Sequence, residues 1–258
     1  MRDFAQTLTN LDQRASGQIT VDDYSKLVGQ VASGTIQVDD YSKLIEASAV
    51  ATIVVDDYTL LNENASTGTI EVTDYEALYG NAIVVNGQQI REGVDFDAET
   101  DEDTTAENIK DAIDALTGVG ATRSGATVTI TASTAGTAGN SIDLSTEADS
   151  LTLSGALLTG GRDYATVTVD GDTYTAGTDF TAETDEDTTA TNLASAIDAG
   201  SNVGATATTD TVTITASSAG SAGNALALSS VASAGAITLS GALLAGGQDH
   251  AVVTVDGN

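Results

Sequence analysis

A duplication decides most of what this chain can fold into. The run Ala98-Glu-Thr-Asp-Glu-Asp-Thr-Thr-Ala106 returns at Ala182–Ala190, Thr127-Val-Thr-Ile-Thr-Ala-Ser133 at Thr211–Ser217, and Leu153-Ser-Gly-Ala-Leu-Leu158 at Leu239–Leu244. Two copies of one cassette, 81–162 and 163–247, must therefore reach the same local structure. Each builds a small module of its own instead of sharing one large core.

Each cassette opens on a hairpin signal, Ile83-Val-Val85 before Asn86-Gly87 and Thr166-Val-Thr-Val169 before Asp170-Gly171, because both turn residues must accept positive φ. An acidic run then leads into a helix. Thr104 with Glu107 gives a capping-box pattern, and Ala106, Ile109, Ile113 and Leu116 trace an apolar face. The second copy keeps Ala190, Leu193 and Ile197 but has Thr191 where the box wants an acid. Strands are expected at 119–122, 126–132 and 151–153, and again at 203–206, 211–216 and 237–239. In Thr127-Val-Thr-Ile-Thr-Ala132 strict alternation gives one buried face and one wet face. The fold class expected is α+β and β-rich: two tandem modules of antiparallel sheet with one covering helix, preceded by short strand-turn-helix repeats.

Those repeats fill 17–80. Tyr24, Tyr41, Tyr58 and Tyr75 recur every 17 residues, each after a short Ile/Val strand and an Asp able to cap a helical turn. A unit so small cannot bury its apolar face alone, so the four should stack or pack against a partner. The Gly-x-Ile-x-x-x-Asp spacing is that of the second half of an EF-hand loop, but the ligand positions before Gly17 would include Arg14, which disqualifies a cation site.

The flanking segments, 1–16 and 248–258, are read as docking and assembly elements. Phe4, Leu8 and Leu11 give a short amphipathic helix one apolar stripe. At the other end Ala251-Val-Val-Thr-Val-Asp-Gly257 restates Ala165–Gly171, so Ala251, Val253 and Val255 form one face of a strand with no hairpin partner. It either folds back onto the second cassette or adds to a neighbouring subunit's sheet.

Composition excludes several functions. Eight Lys and Arg against 38 Asp and Glu leave a formal charge of -30, which repels nucleic acid and anionic membranes. With no cysteine, disulfides, thiolate metal sites and cysteine nucleophiles drop out. No run reaches the length of a membrane span, and Met1–Asn10 lacks the apolar core of a signal peptide, which favours assembly in the cytoplasm if Met1 is the true start.

Chemistry finds little to work with. His250 is the one histidine and has no evident orienting partner for a triad. Asp101, Asp103, Asp185 and Asp187 are candidate calcium ligands, since hard cations want clustered oxygens, yet acids at a helix N-terminus need no ion to explain them. The glycine-rich 135–140 and 219–224 lack the Lys-Ser/Thr of a phosphate loop and read as tight connections between strands. No catalytic residue and no cofactor is expected, and the chain is not read as an enzyme.

The pattern Val167-Thr-Val-Asp-Gly-Asp-Thr-Tyr-Thr-Ala-Gly-Thr-Asp-Phe180, followed by Thr188–Ile197, Val212–Ala216 and Ala219–Asn224, resembles a repeat module of tailed-phage virion structural proteins. The resemblance spans 82–258 and implies a non-enzymatic building block of the particle's outer surface, as a capsid decoration, head fibre or tail component. Its partners would be copies of itself and other structural subunits, with assembly in the host cytoplasm. The alternative is a secreted acidic surface-filament or adhesin subunit, extracellular and joined by β-strand exchange through the C-terminal strand.

Overall fold

A computed structural model describes residues 36–200 and 202–252. The amphipathic helix of Phe4, Leu8 and Leu11, the repeat around Tyr24, and Val253 and Val255 lie outside these residues. The chain is β-rich α+β, with four antiparallel sheets and two α-helices among the described residues. The described residues divide into two compact units, 59–165 and a second made of 36–58 with 166–200 and 202–252.

In the unit 59–165 a four-stranded sheet has the order β5-β6-β2-β8, from Val119–Ser124 (β5), Thr127–Ala132 (β6), Thr67–Val72 (β2) and Leu151–Leu153 (β8). A three-stranded sheet has the order β4-β3-β7, from Gln88–Arg91 (β4), Ala82–Val85 (β3) and Leu144–Thr146 (β7). The other unit repeats this plan. Its larger sheet runs β11-β12-β1-β14, from Val203–Thr208 (β11), Thr211–Ala216 (β12), Val50–Val55 (β1) and Ile237–Leu239 (β14). Its smaller sheet runs β10-β9-β13, from Asp172–Thr175 (β10), Thr166–Val169 (β9) and Leu228–Val231 (β13).

One helix serves each unit, α1 at Glu102–Asp114 and α2 at Glu186–Asp198, each packed on its four-stranded sheet. Ile109, Ile113, Leu193 and Ile197 are fully buried there. Burying such side chains stabilises by about 1.5–3 kcal/mol each. Leu116 is only partly buried at the edge of the same core. The hairpin turns form as their sequence demands, with φ of 52° at Asn86 and 50° at Asp170, each followed by a positive-φ glycine.

One open expectation is resolved and two need correcting. Of the two expectations for the repeats, stacking or packing against a partner element, the third and fourth take the second: their strands β1 and β2 are interior strands of the two larger sheets. A cassette sheet is thus incomplete without a strand from the repeat array. Each unit also holds two sheets rather than one, because the short β7 and β13 pair with the opening hairpins. Finally, the helices start earlier than the capping box implied. Asp101 caps α1 by accepting from the Thr104 amide at 2.7 Å, and Asp185 does the same for α2 through Thr188. Glu107 instead binds Arg123, Oε2 to Nε at 2.6 Å.

Candidate assembly interface

The inserted strand is bonded along both edges. Ile53 faces Val212 of β12 on one side and Leu239 of β14 on the other; Ile70 faces Val128 and Leu153 in the same way. The alternation Ile53/Val55 and Ile70/Val72 sends one side of each strand into the core, where exposure is 2% or less. Leu61 and Leu78, from the 3-10 turns that follow each strand, are also fully buried.

The duplicated Leu-Ser-Gly-Ala-Leu-Leu motif is the clamp for this strand. Ser154 Oγ accepts from the Thr69 amide at 2.8 Å, and the Ser154 amide donates to the Thr69 carbonyl at 3.0 Å. Ser240 does the same for Thr52, and Leu158 and Leu244 close the motif inside the core. Sequence alone marked the motif as repeated; the hydroxyl's task depends on which strand lies opposite.

A second junction ties the end of each cassette to the turn of a repeat. Arg162 exchanges backbone bonds with Asn64 and sends its guanidinium to the carbonyls of Thr59 and Asn62, at 2.9 Å each. Ala165 then donates to the Leu61 carbonyl. One repeat earlier in the array and one cassette later in the chain, the same bonds recur. Gln248 exchanges backbone bonds with Ala47, and its amide group donates to the carbonyls of Ser42 and Ile45 at 2.7 and 2.8 Å. Ala251 donates to the Leu44 carbonyl at 3.3 Å. His250 belongs to this junction, its Nδ1 accepting from the Glu46 amide and its Nε2 lying 3.4 Å from the Glu46 carboxylate. The rest of the expected C-terminal assembly face is outside the described residues.

The glycine-rich loops lock these junctions. Asn140 and Gly161 bond each other twice, at 2.8 Å, as do Asn224 and Gly247. Asp163 accepts from the Thr137 amide and hydroxyl, and Asp249 from those of Ser221. These bonds hold both carboxyls below the usual carboxylate range, the side-chain hydroxyl contributing most. Gly136 has φ of 107°, and a Cβ there would come within 2.5 Å of Asp163 Oδ1. The loops are connections between strands, as their sequence suggests.

Many acidic side chains serve the backbone in matched pairs. Besides the helix caps, Asp95 and Asp179 accept from the amides of Arg91 and Thr175, and Asp114 and Asp198 from those of Ala121 and Ala205. Backbone bonding to Thr104 and Thr188 is the first cause that lowers the Asp101 and Asp185 pKa values. Asp103 and Asp187 stand exposed in the first helical turns. Among the described residues no group of three or more His, Cys, Asp or Glu is arranged to hold a metal ion, and no helix is long and apolar enough to cross a membrane.

Compared with known proteins, the chain matches no family model and no curated protein.

Proposed function

We propose that the protein is a non-enzymatic structural component of a tailed-phage virion, exposed on the particle surface as a capsid decoration, head fibre or tail element. Its two units are tandem modules of one design, and the upstream repeats serve as strands that complete them. The observation that carries this reading is the twofold use of one clamp, Ser154 on Thr69 and Ser240 on Thr52. A construction rule applied twice with the same bonds supports the reading of a building block whose task is shape. The acidic exterior fits a surface in contact with solvent and small ions, where like charge keeps assembled subunits soluble. Subunits of the same chain and other structural proteins are the partners this role requires.

Antibodies raised against the full chain give the direct test. In a lysate from a producing host they should label purified particles by immunogold and detect the chain in the particle fraction. Detection on the cell surface or in filaments shed to the medium, with unlabelled particles, overturns the reading. That second outcome is the alternative of an extracellular filament or adhesin subunit. The feature in its favour is that sheets here are completed by strands remote in sequence, the chemistry of strand exchange.

A further inference from the structure

Among the described residues the repeat array holds one more strand-like sequence than the two cassettes take up. The third and fourth repeats give up β1 and β2, and both larger sheets are then complete. The second repeat, 34–44, carries the same residues 17 positions upstream of β1: Ile36 for Ile53, Val38 for Val55, Tyr41 for Tyr58 and Leu44 for Leu61. Their environment differs. Val38 is 38% exposed and Tyr41 49%, and Ile36 and Leu44 are only half-buried, whereas Ile53, Val55 and Leu61 are fully buried. The turn itself is already built, with Asp40 accepting from the Ser42 amide at 3.0 Å.

What covers this face can be read from its relatives. In both copies where the strand is covered, the cover is a cassette: a Thr-Val-Thr-Ile-Thr-Ala strand on one edge and a Leu-Ser-Gly-Ala-Leu-Leu segment on the other. The bonds that lead into such a cassette are present at the second repeat as well. Gln248 and Ala251 hold Ser42, Ile45 and Leu44 as Arg162 and Ala165 hold Thr59, Asn62 and Leu61.

We propose that Ile36–Leu44 is a donor segment for a further cassette of this same class, one lacking its own interior strand, which it completes by lying between that cassette's two central edge strands. A second copy of the chain is a poor occupant, because its cassettes are already filled by their own repeats and a swap would uncover as much apolar surface as it covers. The inference stands apart from the virion reading, since it concerns only which cassette the segment completes.

The test mixes the full chain with a probe polypeptide, residues 163–247, whose sheet lacks β1. The probe's competence to take up a strand is first established by complementation with a peptide of residues 48–62, which carries β1. Complex mass is followed by light scattering in moderate salt, so that charge repulsion is screened. The expected result is a complex of full chain and probe, with protection of the 36–38 amides from exchange rising at least tenfold. An Ile36→Asn/Val38→Asn double variant of the full chain, which alters exposed or half-buried side chains and should melt as the parent does, should lose the complex. Absence of a complex with the parent overturns the proposal. So does a complex that survives in the double variant, which would mean the probe captures β1 instead. Self-association of the full chain alone, abolished by the double variant, would overturn the cassette occupant in favour of a second copy.

Discussion

Ser240 grips Thr52 by both of its polar groups: its hydroxyl accepts from the Thr52 amide at 2.8 Å, and its amide donates to the Thr52 carbonyl at 2.9 Å. Thr52 lies 188 residues upstream, so the grip ties together two segments remote in sequence. Ser240→Ala keeps the backbone bond and leaves the Thr52 amide without its hydroxyl acceptor. The bond lies on an exposed side of the sheet, where water takes over part of the lost acceptor's role, so the cost is that of an ordinary hydrogen bond, about 0.5–1.5 kcal/mol. Chemical denaturation should show that loss, and hydrogen exchange should place it at Thr52. Ser154→Ala should act in the same way on Thr69.

The same side chain has opposite weight in different repeats. Ile53→Ala or Ile70→Ala opens a cavity at a fully buried site and should cost about 2–5 kcal/mol. Ile36→Ala removes a half-buried side chain and should change stability by less than about 1 kcal/mol. Urea midpoints of the three variants check this ranking. Equal losses at all three would mean that the second repeat is already covered.

The local half of this fold is legible in the sequence and the non-local half is not. Asn86-Gly87 announces its hairpin because the requirement for positive φ lies in the two residues themselves. Thr127–Ala132 announces a half-buried strand because alternation is a property of the strand alone. Nothing in Thr67–Val72 says that β6 and β8 will flank it, since that choice rests on partners 56 or more positions away. The helix cap was readable with better use of the duplication: Asp101 is kept as Asp185, whereas Glu107 becomes Thr191, so only the aspartate could serve both copies. The strands β7 and β13 were missed because each carries a single buried apolar residue, Leu144 or Leu228, so neither shows the alternation that Leu151-Thr-Leu153 and Ile237-Thr-Leu239 do.

The acidic caps make a clear statement about calcium. Asp101 and Asp185 already spend an oxygen on the amides of Thr104 and Thr188. Chelator should therefore leave the melting temperature unchanged, while Asp101→Ala should lower stability by about 1 kcal/mol as an N-cap loss. A chelator-induced fall of several degrees in the parent, absent in Asp101→Ala, would instead assign an ion to that turn.

Asp163 gives the pH dependence its sign. Its carboxyl is held below the usual range by the Thr137 hydroxyl and amide, so the folded chain keeps it ionised at a pH where the unfolded chain protonates it. That stabilisation is fully present above the unfolded value of about 3.9 and is lost as pH falls through the lower folded one. Protonation of other carboxylates relieves self-repulsion over the same range, so the parent's own profile mixes two effects. Asp163→Asn separates them: the stability gap between parent and variant should be constant from neutrality to about pH 5 and close below about pH 4. A gap that widens on acidification would contradict the bonding described.

Ser66 offers a substitution that should improve the protein. Its hydroxyl is fully buried and has no hydrogen-bond partner, and it is pressed against Gly139. The other unit solves the same position without the hydroxyl, placing Ala49 beside Gly223. A buried hydroxyl without a partner costs about 1–3 kcal/mol, and removing it also relaxes the contact with the glycine. Ser66→Ala should accordingly raise the stability of the unit 59–165 by about 1 kcal/mol. The gain should be read from slowed exchange of the β2 and β6 amides, which flank the position through the bond from Ala132 to the Ser66 carbonyl. Exchange that accelerates there would mean that the hydroxyl has a buried water as its partner, and the alanine of the other unit would then reflect a drier junction instead of a better one.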